Sequence, residues 1–243
     1  EIMPSLVGSE MCIRDSSKEE KKNLFSALSD HLASLGFQGD VALKLLGAVY
    51  ILSKEEDWTP LRDAREFAML LNATGRMGRP GLGVALCMGD RGASLEQAND
   101  VLNEYRQTIT NYLRKLNEEP ERVEELSNIY VVHGENLIDE KVISAISTIL
   151  SSNLPNPEKP LLAYSIIPDE RKIKVSARTN ETLTGRGLNL GEILHVAAEK
   201  NGGKGGGHDI AAGAQVPYER KTDFINLVNR LVRESLEGAK HGS

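Results

Sequence analysis

The chain is 243 residues long, with 29 Lys and Arg, 35 Asp and Glu and a net charge of −6; one large or two small cores fit this length, and bulk attraction to duplex DNA is excluded. A 26% charged and 40% apolar composition excludes wholesale disorder. Two cysteines, Cys12 and Cys87, exclude a disulfide framework or a four-thiolate zinc site and point to a cytoplasmic protein, and no apolar run approaches the roughly 20 residues of a membrane span.

Residues 1–17 carry no helical or strand period and no apolar signal core; they resemble translated adaptor read-through and are expected to lie outside the fold. From Lys18 to Gly36 the spacing of Leu24, Phe25, Leu28, Leu32 and Leu35 predicts a helix with one buried stripe. Asp40 reads as the cap of a second helix over Val41–Ser53. Thr59-Pro60 reads as a capped helix start, with Leu61–Asn72 following. The segment Asn72–Gly83 (NATGRMGRPGLG) interrupts this pattern, and Val84–Met88 is open to either helix or strand. Ser94 and Gln97 have capping-box spacing for a long helix to about Leu116.

Pro120–Ser127 reads as a linker, after which Ile129–Val132 turns β-branched. A helix over Asp139–Leu150 and a proline-rich loop lead to two strands, Leu161–Ile167 and Lys172–Ala177, joined at Pro168-Asp169-Glu170. A short helix (Glu192–Lys200), a strand (Ala211–Val216) and an amphipathic helix (Asp223–Leu236) close the chain. The predicted fold class is α/β: a helical N-terminal part followed by a small mixed-sheet α/β domain.

Charge is unevenly spread. Ser94–Glu140 holds eleven acids and four bases, whereas Arg171–Arg186 holds five bases and one acid, so an acidic protein still has a place for an anion.

Three segments carry candidate chemistry. In NGGKGGGHDIAAG (Asn201–Gly213) glycines leave backbone N–H groups open to a phosphate, and His208 follows with Asp209 placed to orient it. The absence of Ser or Thr after Lys204 excludes a Walker loop. Ser176-Ala177-Arg178 ends a strand, and the Arg178 fork suits a phosphate better than a lysine would. Asn72 and Arg76 stand four residues apart at a glycine-softened helix end, where both can face one ligand. Each has a plainer alternative: a flexible turn, a salt-bridged surface arginine, a helix C-cap. Asp30-His31 reads as helix surface, His133 as a satisfied structural residue and His195 as a mid-helix residue, and His241 lies in the tail.

Together these segments resemble the DHH phosphoesterase superfamily. GGKGGGHDIAAG and the upstream SAR triplet look like its DHH-associated domain. LLNATGRMG resembles a motif of RecJ-type single-strand exonucleases, and LRDAREFAMLLNATGRMGRPGLG is most similar to the archaeal RecJ-like group. The resemblance covers about Lys18–Glu237. It implies that residues 18–126 are the helical end of a catalytic domain with its connecting helix, and that residues 127–240 are the substrate-binding domain. It also implies that Ser176, Arg178, Gly205, Gly206, Gly207 and His208 meet the phosphate or terminal nucleotide, with Asn72 and Arg76 on the nucleic-acid backbone and His208 supporting catalysis. The Asp-His-His metal motifs are not found here. The fragment is therefore expected to bind no cofactor and to be inactive alone, with manganese or magnesium held in a missing DHH domain. Expected partners are single-stranded nucleic acid and, as a candidate, the helicase factor GINS, with no membrane. Alternatives within the superfamily are an oligonucleotide or cyclic-dinucleotide phosphodiesterase and a non-catalytic GINS-associated scaffold. The associated domain of alanyl-tRNA synthetase is disfavoured by NATGRMG.

Overall fold

The computed structural model describes residues 17–36, 48–56 and 59–238. The N-terminal stretch 1–16 with Cys12, the expected cap Asp40 and helix residues 41–47, and His241 lie outside the described residues. The chain divides into two compact units. The first takes Glu1–Gly75 and Gly81–Ala98, and the second takes Arg76–Pro80 and Asn99–Ser243.

In the first unit, α1 (Lys18–Ser34) opens with a capping box between Ser17 and Glu20. Its apolar stripe is present in sequence but not in packing, because no residue of α1 is buried and Leu35 is 60% exposed. Residues 48–53 are not helical; Ile51 makes an isolated antiparallel bridge to Asp63. Thr59 does not cap with its side chain, and its hydroxyl instead donates to the Glu56 carbonyl. A 3-10 turn (Pro60–Arg62) leads into α2 (Ala64–Arg76), which runs straight through Asn72 and Gly75, and α3 (Pro80–Cys87) settles Val84 as helical.

The long helix α4 (Ala93–Glu118) runs from the first unit into the second. Its start is fixed by Asp90 rather than by Ser94. The Asp90 carboxylate accepts from the Ser94 hydroxyl at 2.5 Å and from the Gly92 N–H at 2.8 Å, and these bonds hold its carboxyl below the usual aspartate range.

The second unit is built on a six-stranded mixed sheet in the order β1-β2-β3-β4-β6-β5. Its strands are β1 (Val123–Glu125), β2 (Tyr130–Glu135), β3 (Leu161–Ile167), β4 (Lys172–Arg178), β5 (Lys204–Gly207) and β6 (Ala211–Pro217). Only β2 and β3 pair in parallel, joined through α5 (Ile143–Ser151); the other pairs are antiparallel. Two segments expected to be irregular belong to this sheet. Part of the Pro120–Ser127 linker is β1, which pairs Val123 with Val132. The glycine cluster is edge strand β5, which pairs Gly206 with Gly213.

The core follows from alternation. Ile173, Val175 and Ala177 on β4 and Ala212, Ala214 and Val216 on β6 are buried together with α7 (Leu190–Lys200) and α8 (Lys221–Gly238). Asn189 caps α7 by accepting from the Glu192 N–H. A short α6 (Glu181–Gly185), unanticipated from the sequence, is capped in the same way by Asn180. The expected helix from Asp139 begins only at Ile143.

Candidate functional site

Paired residues of a ladder share a face, and so do alternate residues of one strand. Lys174, Ser176 and Arg178 of β4 therefore face the same side as Gln215, Gly213 and Ala211 of β6, their register partners. Lys204 and Gly206 of β5 join the same face opposite Gln215 and Gly213. His208 extends it, since its backbone N–H donates to the Ala211 carbonyl at 2.9 Å. The opposite face is the core. Helix α5 lies on this face at β4, where Ser147 meets Ser176. Lys204, Gln215 and His208 remain exposed.

Arg178 is the centre of charge. Its Nε donates to the Thr148 hydroxyl at 3.0 Å, and its Nη1 donates to the Ser176 hydroxyl at 3.1 Å and to the Ala177 carbonyl at 2.8 Å. Ser176 is 4% exposed and Ser147 fully buried; their hydroxyls lie 2.8 Å apart, and Ser147 donates to the Ser144 carbonyl at 3.0 Å. One proton arrangement satisfies every group: Arg178 donates to Ser176, Ser176 to Ser147, and Ser147 to the backbone.

The basic stretch around Arg178 is mostly neutralised locally. Arg171 pairs with Glu219, Lys172 with Glu170, Lys174 with Glu140 and Arg186 with Glu158. Arg178 differs, having no carboxylate at ion-pair distance among the described residues. Burial lowers its pKa, and the nearby Arg76 charge lowers it further. A half-buried guanidinium held by neutral oxygens and within electrostatic reach of a second guanidinium is a site that an anion would relieve.

Arg76 groups with this second unit. Its Nη1 donates to the Lys141 carbonyl at 2.7 Å and to the Ser144 hydroxyl at 2.8 Å. Asn72 is an exposed residue of α2 in the first unit. Ser176, Arg178, Gly206 and His208 are thus brought to one face, with Arg76 near Arg178.

The glycines divide their roles. A Cβ on Gly205 would meet the Leu194 carbonyl oxygen at 2.5 Å and Ala198 Cβ at 3.0 Å, so this position lets α7 lie against β5. Gly207 would strike the Ala211 oxygen at 2.7 Å, whereas Gly206 (φ +152°) has nothing within 4 Å. Only Gly206 gives an open floor. His208 is exposed and its ring has no hydrogen-bond partner among the described residues. Asp209 does not orient it, because its carboxylate accepts from the Ile210 N–H at 2.9 Å.

Sequence reasoning missed the α5 hydroxyls. Ser144, Ser147 and Thr148 stand at helical spacing on an otherwise apolar helix, and that polar stripe was the available signal. His133 is satisfied as expected, with its two ring nitrogens 2.9 Å from the Tyr164 hydroxyl and from the Glu124 carboxylate. Among the described residues no three or more His, Cys, Asp or Glu side chains come together to hold a metal ion, and no helix is long and apolar enough to cross a membrane.

Residues 127–234 match the DHHA1 domain family. The chain is 35% identical over 176 residues to the uncharacterized protein MJ0831 of Methanocaldococcus jannaschii, a match covering 72% of this chain and 37% of that protein. Thus the chain spans just over a third of that relative's length. RecJ of Thermus thermophilus in complex with Mn2+ is similar in fold, with a TM-score of 0.53 and 20% identity over 70% of this chain and 24% of that one. The same protein in complex with Mg2+ gives a TM-score of 0.52 at 19% identity, covering 70% and 25%.

Proposed function

We propose, from the premise that residues 127–234 form a DHHA1 domain of the DHH superfamily, that the face carrying Arg178 and His208 binds the phosphates of a single-stranded nucleic acid. The domain would then present the substrate of a RecJ-like phosphodiesterase. The observation that carries this reading is Arg178: half-buried, held by three neutral oxygens and without a carboxylate among the described residues. A guanidinium so placed gains more from an incoming phosphate than a solvated surface arginine would. Gly206 supports the reading by leaving the floor beside it open, and His208 by standing exposed on the same face.

On this reading the ester would be hydrolysed by metal ions that this face does not itself hold. The face contributes binding and orientation. Arg178 fixes a phosphate through the two N–H groups of Nη2, which its bonds to Thr148, Ser176 and Ala177 leave over, and Arg76 adds a second positive charge nearby.

Fluorescence anisotropy with a labelled single strand and with a duplex of the same sequence tests it. Single-strand binding should weaken with salt at a log–log slope of roughly −1.5 to −2, as expected for two or three neutralised phosphates. Arg178→Ala should weaken single-strand binding about tenfold or more, and Arg178→Lys should recover little of it because lysine lacks the planar fork. Unchanged affinity in Arg178→Ala would remove the proposal.

A further inference from the structure

Beyond Arg178 this face continues along β6 and β5, beside α5. Two residues toward the start of β4 lies Ser176, paired with Gly213 and through it with Gly206; two residues further lies Lys174, paired with Gln215 and through it with Lys204. The face is therefore a series of rows: one with Arg178 and His208, one floored by two glycines, and one with the two ammonium groups of Lys174 and Lys204. Lys174, Lys204, Gly213 and Gln215 line a shallow depression of about 420 Å³. Lys204 is exposed with no ion-pair partner among the described residues, and Lys174 is held by Glu140 at 2.6 Å.

The spacing of these rows has a chemical counterpart. Two residues of an extended peptide advance the chain by six backbone bonds, about 6.8 Å. One nucleotide also contributes six bonds from phosphorus to phosphorus. A single strand laid along β6 and β5, beside the part of β4 that α5 covers, thus steps one phosphate per row, and the two outer rows are two steps apart, about 13–14 Å at strand rise. The middle row bears no side chain on β6 or β5, so sugar and base can pass over it.

We propose that Lys174 and Lys204, facing each other across Gln215, form a second phosphate subsite two nucleotide steps from Arg178. This deepens the reading above and rests on it: the favoured ligand is a strand with at least three phosphates lying along the sheet, in preference to a dinucleotide. Glu140, already paired to Lys174, holds that ammonium at the rim, and Lys204 supplies the uncompensated charge.

The test uses the 243-residue chain with oligothymidylates of two and six nucleotides, each with a 5′-phosphate, in binding titrations at two salt concentrations. The chain should bind the hexanucleotide more tightly than the dinucleotide. The double variant Lys174→Gln/Lys204→Gln should lose roughly three- to tenfold in hexanucleotide affinity, with a salt slope shallower by about 0.7 per lost phosphate contact, and keep its dinucleotide affinity. Equal losses for both lengths, or none for either while Arg178→Ala still weakens binding, would overturn the second subsite and leave the Arg178 reading standing. No effect of Arg178→Ala on either ligand would overturn both. Because Lys204 is exposed and Lys174 half-exposed, a melting temperature within a degree or two of the parent shows that the variant has folded.

Discussion

Ser147 Oγ lies 2.8 Å from Ser176 Oγ, with both side chains withdrawn from solvent and the Arg178 guanidinium anchored on the second of them. This contact joins the helix between two parallel strands to the strand that ends in the arginine. The position of Arg178 is thus set partly by a helix some thirty residues earlier in the chain.

Replacing Ser147 with alanine removes the acceptor for the Ser176 hydroxyl proton and leaves that group buried without it. The expected cost is about 1–2 kcal/mol, read as a fall in melting temperature of roughly 3–6 °C for a chain of this size. Single-strand affinity should fall as well, since the Arg178 fork loses its support. A variant as stable as the parent and binding as tightly would show that the hydroxyl chain does not position the arginine.

Alanine at Gly205 and at Gly206 should part company. At Gly205 the new Cβ meets the Leu194 carbonyl oxygen and two alanine methyls, so α7 must move, at a cost of about 1–3 kcal/mol. At Gly206 no atom stands within 4 Å, and the cost is backbone strain of about 1 kcal/mol at a positive φ. Thermal unfolding should rank Gly205→Ala as the less stable of the two, and ligand binding should be more impaired per degree of melting temperature lost in Gly206→Ala. The reverse order would contradict the division of roles.

His208→Ala should leave the melting temperature within about 2 °C of the parent, because the ring is exposed and makes no hydrogen bond among the described residues. On the proposed function its effect falls on the ligand. Single-strand affinity should drop severalfold, and a variant with full affinity would reduce His208 to a hairpin residue.

Tyr164 links stability to alkaline pH. Its side chain is fully buried and its hydroxyl touches His133, Glu135 and Lys221. Burial pushes its pKa up to about 12, although Lys221 works in the other direction. The unfolded chain releases this proton near pH 10. Between these values the unfolded state holds fewer protons than the folded one, so stability is intact below about pH 10 and falls as pH rises toward 12, by about 2–3 kcal/mol in all. Denaturant titrations at pH 9, 10.5 and 11.5 should show this decline. Tyr164→Phe should be less stable at neutral pH by about 1–3 kcal/mol, because Lys221 and Glu135 lose a buried partner, and its alkaline decline should be shallower. A slope equal to the parent's would assign the alkaline effect to other groups.

Much of the second unit was readable because its strands alternate. KIKVSAR and AAGAQVP write one apolar face and one open face directly into the chain, and the Asn189 and Asn180 caps act through local bonds. The glycine segment was harder. GGG has no side-chain alternation to read, and only pairing with β6 makes it a strand. The same holds for VEE, three residues whose strand character depends on partners in β2. At the site, Arg178 and Ser176 were visible as a triplet, whereas Ser147 and Thr148 take on meaning only once α5 crosses the sheet. Asp209 was misread because adjacency to His208 in sequence is not contact; its carboxylate turns to the backbone instead. The stripe on α1 was correctly periodic, yet periodicity predicts a face and not what covers it.

The two ends of the sheet order, β1 and β5, also bear on behaviour in concentrated solution. An unprotected edge strand invites strands from other molecules to add to it, a common start of aggregation. Here β1 is three residues long with Glu124 and Glu125 as its outer charges, and β5 is four residues of lysine and glycine with its Gly205 carbonyl engaged by His195. Both edges are short, charged or glycine-rich, and poor templates for growth. On the proposed function, the glycines that leave one face open to a ligand also make β5 a poor edge for growth between copies.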